Sequence, residues 1–158
     1  MLDSSFISSL PNVPSVYALY GGADRSRYVA YVGLAGKLKQ RITQHLIRRD
    51  SSITTGATAV SLNPDKVSEI RWWEHDSFGD SDLLTAAEVI AFEVLDPVLR
   101  SRGSVSDKAR EMTTDANYKI DIRKLFEGPP SGCLIIPNLK AVLERVAALE
   151  KKLASKKR

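Results

Sequence analysis

The chain has 158 residues, of which 43% are hydrophobic and 27% are charged, and its formal net charge is +4 at pH 7. This length predicts one globular domain with at most a short extension, and the mild basic excess suits a polyanionic partner without identifying one. No apolar run approaches the roughly 20 residues of a membrane span, and we expect no signal peptide and no membrane partner. The single cysteine, Cys133, excludes an intramolecular disulfide, so we expect a reducing, cytoplasmic setting and a small buried core residue at this position.

The predicted fold opens with a β-hairpin. Residues 15–20 and 28–32 are apolar, β-branched and aromatic runs on either side of a glycine-containing turn, which is typical of two paired strands. Gly33 and Gly36 follow the second strand, where glycine tolerates the backbone angles of a strand-to-helix turn.

The hairpin leads into a predicted helix over residues 34–49, in which apolar residues recur at helical spacing. Arg41 and His45 are four residues apart, so an α-helix would present both side chains on one face. A hairpin that carries Tyr17 and Tyr31 therefore precedes a helix that carries an arginine and a histidine. This combination predicts an active site.

The rest of the first hundred residues predicts a loop, a strand and a helix. Residues 53–64 are small and polar and favour a loop, whereas residues 67–75 alternate as a strand does. Trp72 and Trp73 are neighbours in this strand, so we expect one to face the core and the other to face outward. A helix over 82–95 completes a β, β, α, β, α order. This order predicts an α+β fold, with a small mixed or antiparallel three-stranded sheet flanked by helices.

Residues 103–158 are predicted to form an accessory extension. Residues 107–118 show no clean period, and a basic amphipathic helix over 138–154 ends the chain. Its apolar residues follow the 3-4-3-4 spacing of a heptad seam, over only two heptads: Leu139, Val142, Val146, Leu149 and Leu153. Two interpretations stay open, a helix packed on its own domain and a homodimer formed through this seam.

Residues of about 13–102 resemble the GIY-YIG nuclease superfamily. Ser15-Val16-Tyr17 stands in the GIY place and Tyr31-Val32-Gly33 in the YIG place, and the family's arginine, histidine and glutamate are matched by Arg41, His45 and Glu88. Arg41 follows Tyr31 by ten residues, as in the family, and Pro97 follows Glu88 in the place of the family's helix-ending proline. Glu93 is a rival that fits the proline spacing less well. Three features depart from the pattern: Ser15 stands for the first glycine, the spacer between Tyr17 and Tyr31 is longer than usual, and Arg100 stands near an asparagine that many members have.

The resemblance implies a metal-dependent endonuclease that hydrolyses DNA phosphodiester bonds. Glu88 would be the protein ligand of Mg²⁺, with Mn²⁺ as an alternative, because Mg²⁺ takes only one or two carboxylates from a protein. Arg41 offers a planar fork of donors to a phosphate oxygen. The resemblance suggests Tyr17 as the base, with its pKa lowered by nearby positive charge, and Tyr31 as the group that orients the water or the phosphate. His45 is either a proton shuttle or a phosphate contact.

DNA is the expected partner, and the protein would then act in the cytoplasm or at the nucleoid. The basic residues around the first helix are natural phosphate contacts: Lys37, Lys39, Arg48 and Arg49. Two other functions stay open. The first is a nucleic-acid-binding or structure-recognition module that keeps the fold but cuts little alone. The second is an interaction protein organised by the terminal helix.

Overall fold

The structure is a computed structural model. It describes residues 4–22, 24–51, 62–101, 103–136 and 139–157. The predicted loop over 53–64 lies mostly outside these ranges.

A five-stranded mixed sheet forms the centre of the fold, in the order β4-β2-β1-β3-β5. The strands are β1 Ser15–Gly21, β2 Tyr28–Ala35, β3 Val67–Trp73, β4 Leu99–Arg100 and β5 Gly132–Ile135. The central strand β1 is antiparallel to both β2 and β3, as the predicted hairpin and third strand require. β4 pairs with β2 in parallel, and β5 pairs with β3 antiparallel. The α+β class is confirmed.

The predicted number of three strands is wrong, because both edges of the sheet carry a further short strand. β4 has two residues and β5 has four, which is too few to produce a readable alternation in the sequence. β5 comes from the region predicted as an accessory extension, and it extends the same sheet as the hairpin. Cys133 lies in β5 and is exposed, so the expectation of a buried core cysteine is also wrong. The residues of this edge strand alternate between partly buried and exposed positions.

The described residues form five α-helices: α1 Leu38–Ile42, α2 Ser81–Leu95, α3 Asp107–Thr114, α4 Ala116–Glu127 and α5 Leu139–Lys156. The first helix begins later than predicted, because Leu34 and Ala35 continue β2 and the next two residues form the turn. It also changes character after five residues, when α1 continues as a π-helix over Thr43–Arg48. π-helical turns are rare in proteins, and those that occur are often found at functional sites.

Both faces of the sheet are covered. Tyr17 and Leu19 point from β1 into a core with α1, whereas Val16 and Ala18 point into a second core with α2. For this reason the prediction that one of the adjacent tryptophans faces outward is wrong. Trp72 lies in the core on the α1 side and Trp73 in the core on the α2 side, and both are buried.

Residues 107–118, which show no clean period in the sequence, belong to two helices that follow each other closely. The side chain of Ser106 accepts a hydrogen bond from the N–H of Ala109 and begins α3, and Asp115 caps α4 in the same way through Tyr118. Both helices pack on α2 and bury few residues, among them Ala109, so the apolar period is sparse.

The described part of the apolar seam of the last helix, α5, is not buried. Val146, Leu149 and Leu153 are exposed, as is Leu143 beside them, so over these residues the helix does not pack on its own domain. Within the part of the chain that the structure describes, none of the helices is both long and apolar enough to cross a membrane.

Candidate functional site

Tyr17 and Tyr31 meet at Gly33. The strand register pairs Tyr17 of β1 directly with Gly33 of β2, and Tyr31 lies two residues before Gly33 on the same face. A Cβ atom at Gly33 would lie 2.8 Å from the hydroxyl oxygen of Tyr17 and 2.9 Å from that of Tyr31. Glycine is therefore required here for close approach, and its missing side chain lets the two phenols converge.

His45 forms a hydrogen-bonded chain with Tyr17 and a serine. The hydroxyl oxygen of Tyr17 lies 2.6 Å from Nε2 of His45, and Nδ1 of His45 lies 2.7 Å from Oγ of Ser51. The imidazole is 0% exposed. Burial, and then the charge of Arg41, lower its pKa to about 4, so the ring is neutral at neutral pH. A side chain this deep has no surface for a phosphate group, and its two ring nitrogens face Tyr17 and Ser51.

The backbone at the end of the π-helix brings Ser51 back to His45. Arg49 ends the π-helix in the left-handed conformation, with φ 54° and ψ 32°. The chain therefore reverses there, and a residue six positions after His45 returns to its ring. Six residues along a helix do not share a face, so only this reversal makes the contact.

Arg41 stands beside the buried groups and opens towards a cleft. Its Nη1 donates to Oε1 of Gln44 over 3.2 Å, and its Nε is buried without a hydrogen-bond partner among the described residues. Its charge acts on both tyrosines, on His45 and on Glu88. The cleft has a volume of about 370 Å³ and is lined by Leu34, Ala35, Gly36, Lys37, Gln40, Arg41 and Gln44.

Glu88 reaches the same region from the other side of the sheet. It lies in α2, is only 4% exposed, and has the Ser101 hydroxyl and the N–H of Leu34 within hydrogen-bond range of its carboxyl. Burial raises the pKa of this carboxyl to about 7, against the opposing effects of those hydrogen bonds and of Arg41. Its Oε2 is buried and has no partner within the described ranges. A carboxylate oxygen left unpaired in this way fits the needs of a hard divalent cation.

Both phenols stay protonated in this environment. Burial raises the pKa of Tyr17 well above its usual value of 10.0, and the lowering effect of Arg41 is smaller. Burial also raises the pKa of Tyr31, which lies within hydrogen-bond range of Ser101 and Tyr17. The expected lowering by positive charge is therefore present, but in the protein alone desolvation outweighs it.

The rival carboxylate, Glu93, is not part of this cluster. It is exposed on the outer face of α2 and forms ion pairs with Lys119 over 3.1 Å and with Arg123 over 3.2 Å. A paired carboxylate on the surface offers little to a metal ion, because cations already occupy it.

The four basic residues predicted to contact DNA are spread along the first helical segment. Lys37 is exposed and lines the cleft, and Lys39 is partly buried in α1. Arg48 and Arg49 are exposed, and each is 2.6 Å from a carboxylate, of Asp50 and Asp65 respectively. Lys37 is therefore the one that stands at the cleft with Arg41.

Two serines of the site have no signal in the sequence. Ser51 contacts His45 only because the chain reverses at Arg49. Ser101 lies beside Tyr31 and Glu88 because β4 pairs with β2 in parallel. The N–H of Ser101 continues this pairing with a hydrogen bond to the carbonyl of Val32. Ser101 directly follows Arg100, near the place where many members of the nuclease family have an asparagine. Its hydroxyl is the polar group on this side of Glu88.

The site as a whole combines two phenols, a neutral imidazole, a guanidinium and a carboxyl with a raised pKa at one end of β2. Such groups can pass a proton and hold an anion beside a cation. Searches of protein-family models, of curated proteins and of solved structures find no significant match to the chain. Its function must therefore be inferred from its own residues.

Proposed function

We propose that the protein is a metal-dependent endonuclease of the GIY-YIG type that hydrolyses phosphodiester bonds in DNA. The observation that carries the proposal is the convergence of Tyr17 and Tyr31 on Gly33, with Arg41, His45 and Glu88 around them. These are the residues on which the resemblance rests, and they are distant in sequence. A purely structural role would not require a fully buried histidine and an unpaired carboxylate oxygen in the same cluster.

Arg41 is the proposed phosphate contact. Its position at the cleft makes the guanidinium available to a non-bridging oxygen. Lys37 lies at the same cleft and adds a second positive charge at the surface. Lys39, Arg48 and Arg49 would extend the contact along the DNA backbone, each adding salt-dependent affinity.

Tyr17 and His45 are the proposed proton carriers. Tyr17 accepts a proton from the attacking water while its own hydroxyl proton passes to Nε2 of His45, across the 2.6 Å hydrogen bond. One O–H bond of water breaks as an O–H bond of Tyr17 forms, and the old O–H bond of Tyr17 breaks as an N–H bond of His45 forms. A concerted transfer of this kind avoids a free phenolate, which burial makes costly. Tyr31 orients the water or the phosphate through its hydroxyl.

Glu88 is the proposed ligand for the metal ion, and the unpaired Oε2 is the donor atom. No cluster of three His, Cys, Asp or Glu side chains that could hold a metal ion occurs among the described residues. Mg²⁺ suits a single carboxylate, because it keeps several waters, and Mn²⁺ is the alternative. When bound, the ion would polarise the phosphate and stabilise the leaving oxygen.

A second candidate is a nucleic-acid-binding module of the same fold that cuts little alone. The depth of the site favours it, since Tyr17 and His45 are both 0% exposed. A substrate reaches these groups only if the cleft beside Arg41 opens further. Otherwise Tyr31 and Arg41 contact the substrate and connect it to the buried pair.

We also propose that two copies associate through α5 and that the protein acts in a reducing compartment such as the cytoplasm. The apolar seam is exposed, and Arg145 precedes Glu150 by the five residues that separate facing g and e positions in a parallel two-stranded coiled coil. The second copy therefore offers both the apolar partner and the opposite charge. The single thiol, Cys133, fits a reducing compartment.

The test is DNA cleavage by the purified protein. Supercoiled plasmid and a branched or flapped duplex are incubated with Mg²⁺, with Mn²⁺ or with EDTA. Glu88→Ala is the test variant, and Glu93→Ala on the exposed face of the same helix is its matched control. We expect metal-dependent cutting by the parent protein and by Glu93→Ala, and none by Glu88→Ala.

Other outcomes decide between the functions. Salt-sensitive DNA binding without cutting under either metal would reject the enzyme and favour the binding module. Cutting that survives in Glu88→Ala would place the metal elsewhere. Self-association without DNA binding would favour an interaction protein.

A further inference from the structure

We infer that Ser51 is a positioning residue that holds His45 in the Nδ1–H tautomer, so that Nε2 is free to accept the proton of Tyr17. This inference deepens the proposed nuclease site and rests on it for its catalytic meaning. The tautomer itself is a property of the folded chain, and it can be measured whether or not the protein cuts DNA.

The geometry gives each ring nitrogen of His45 one partner. Oγ of Ser51 lies 2.7 Å from Nδ1, and the hydroxyl oxygen of Tyr17 lies 2.6 Å from Nε2. Ser51 is itself buried, at 8% exposure, so water does not compete freely for this contact. A neutral imidazole carries one N–H, so one nitrogen must donate and the other must accept.

The surroundings of Tyr17 favour Nε2 as the accepting nitrogen, and Ser51 is the partner that holds Nδ1 as the donor. Arg41 has donors only, and its guanidinium acts on the oxygen of Tyr17, where it opposes the rise in the pKa of the phenol. The hydroxyl proton of Tyr17 then points to an acceptor, and Nε2 at 2.6 Å is a stronger acceptor than the hydroxyl oxygen of Tyr31, which also lies within hydrogen-bond range. Nδ1 therefore carries the hydrogen and donates it to Oγ of Ser51.

Ser51 also matters after the proton has moved. When Nε2 gains a proton the ring becomes a cation in a buried site, and such a charge is costly unless a hydrogen bond stabilises it. The Nδ1–H donor remains bonded to Oγ of Ser51 throughout the transfer. Ser51 thus supports both the resting tautomer and the imidazolium, as a second partner does for other histidines that work through one nitrogen.

The chain contains a matched control for this pair. Nδ1 of His75 lies 2.8 Å from Oγ of Ser77, while Nε2 of His75 faces Asp121 over 3.0 Å. This second histidine–serine pair lies outside the site, next to α4. Ser77→Ala therefore removes a serine hydroxyl from Nδ1 of the other histidine, which keeps its second contact there, with the N–H of Ser77.

The experiment measures the ¹⁵N signals of the two histidine rings in the full chain. His45→Gln identifies the His45 signals by their loss. In the parent we expect a protonated Nδ1 and an unprotonated Nε2 at neutral pH. Ser51→Ala should turn this into a mixture of tautomers, Ser51→Thr should restore it, and Ser77→Ala should change only the signals of His75. An Nε2–H tautomer in the parent, or an unchanged tautomer in Ser51→Ala, would overturn the inference.

A second readout is the pH profile of cleavage. We expect Ser51→Ala to lower kcat by about 10-fold or more, as for metal-ligating histidines that lose the partner of their second ring nitrogen. The acidic limb of the pH profile should also be displaced. Ser51→Thr should recover both kcat and the profile. A KM change without a kcat change would speak against positioning of the base. If the parent protein cuts no DNA with any metal, the proposed function fails, while the ring signals still decide the tautomer.

Discussion

The hydroxyl oxygen of Tyr17 lies 2.6 Å from Nε2 of His45, and both side chains are fully buried. Burial pushes the pKa values of the two groups in opposite directions, that of Tyr17 up and that of His45 down to about 4. The protein alone therefore holds a neutral pair. The pair can pass a proton but does not ionise by itself, which protects the core from an unpaired charge.

Tyr17→Phe tests this relationship directly. We expect cleavage to fall by about 10²–10⁴-fold, the usual contribution of a positioned acid or base. Loss of the hydroxyl also leaves Nε2 of His45 unpaired, so the free energy of unfolding should fall by about 1–3 kcal/mol. Plasmid cleavage and urea denaturation measure the two effects. Tyr28→Phe, an exposed tyrosine of β2, is the control and should change neither.

The pH dependence of stability should report the buried histidine. In the folded chain the pKa of His45 is about 4, below its ordinary value of 6.5, so the unfolded chain binds more protons between these values. The contribution of His45 to the free energy of unfolding is therefore fully present above pH 6.5. It is lost as the pH falls from 6.5 to 4, by about 3 kcal/mol in all. Denaturant unfolding of the parent and of His45→Gln across this range measures it. A parallel pH slope in the two proteins would contradict the assignment.

Glu88 should act in the opposite sense. Its pKa is about 7 in the folded chain against an ordinary value of 4.5, so here the folded chain binds more protons between these values. Stability therefore falls as the pH rises from 4.5 to 7, by about 3 kcal/mol in all. Glu88→Gln should raise the free energy of unfolding at pH 8 and abolish cleavage. Glu93→Gln removes a carboxylate that is exposed and ion-paired, and should do neither.

The opposed trends of Glu88 and His45 partly cancel in the parent between pH 4.5 and 6.5. Each single variant should therefore reveal the slope of the group that remains. A parent whose stability changes little with pH in this window is thus expected, and it does not argue against either shift.

Much of the fold follows from local patterns in the sequence. The hairpin predicts that Tyr17 and Tyr31 lie on neighbouring strands, and the capped helix that ends before Pro97 predicts the α2 that carries Glu88. These elements are long enough for alternation or helical spacing to be read. The edge strands β4 and β5 are too short for such a pattern, and the two-sided burial of Trp72 and Trp73 depends on what covers each face.

The depth of the site could not be predicted in this way. The four-residue spacing of Arg41 and His45 predicts a shared face, but the helix becomes π-helical at Thr43, leaving Arg41 at the cleft and His45 buried. The contacts of Ser51 and Ser101 depend on a backbone reversal and on a parallel strand pairing. Neither event is encoded by a pattern of side chains.

The exposed seam of α5 predicts self-association. Sedimentation velocity at increasing concentration should show a dimer of the parent chain, and Leu149→Glu should shift it towards the monomer, because a charge in the seam is costly to bury. Ala148→Glu is the control, since this residue lies beside the seam on the same exposed helix. A monomer at every concentration, or equal effects of the two variants, would contradict a dimer formed through this helix.

Gly33→Ala tests the close approach on which the site depends. The added methyl group would lie within 3 Å of both tyrosine hydroxyls, and two packed aromatic side chains cannot both move away freely. We expect a loss of about 1–3 kcal/mol in the free energy of unfolding, as for other overpacked cores, together with a fall in cleavage. Gly36→Ala is the matched control, because a Cβ atom there meets no heavy atom within 4 Å. Equal stability of the two variants would mean that the phenols do not converge on Gly33.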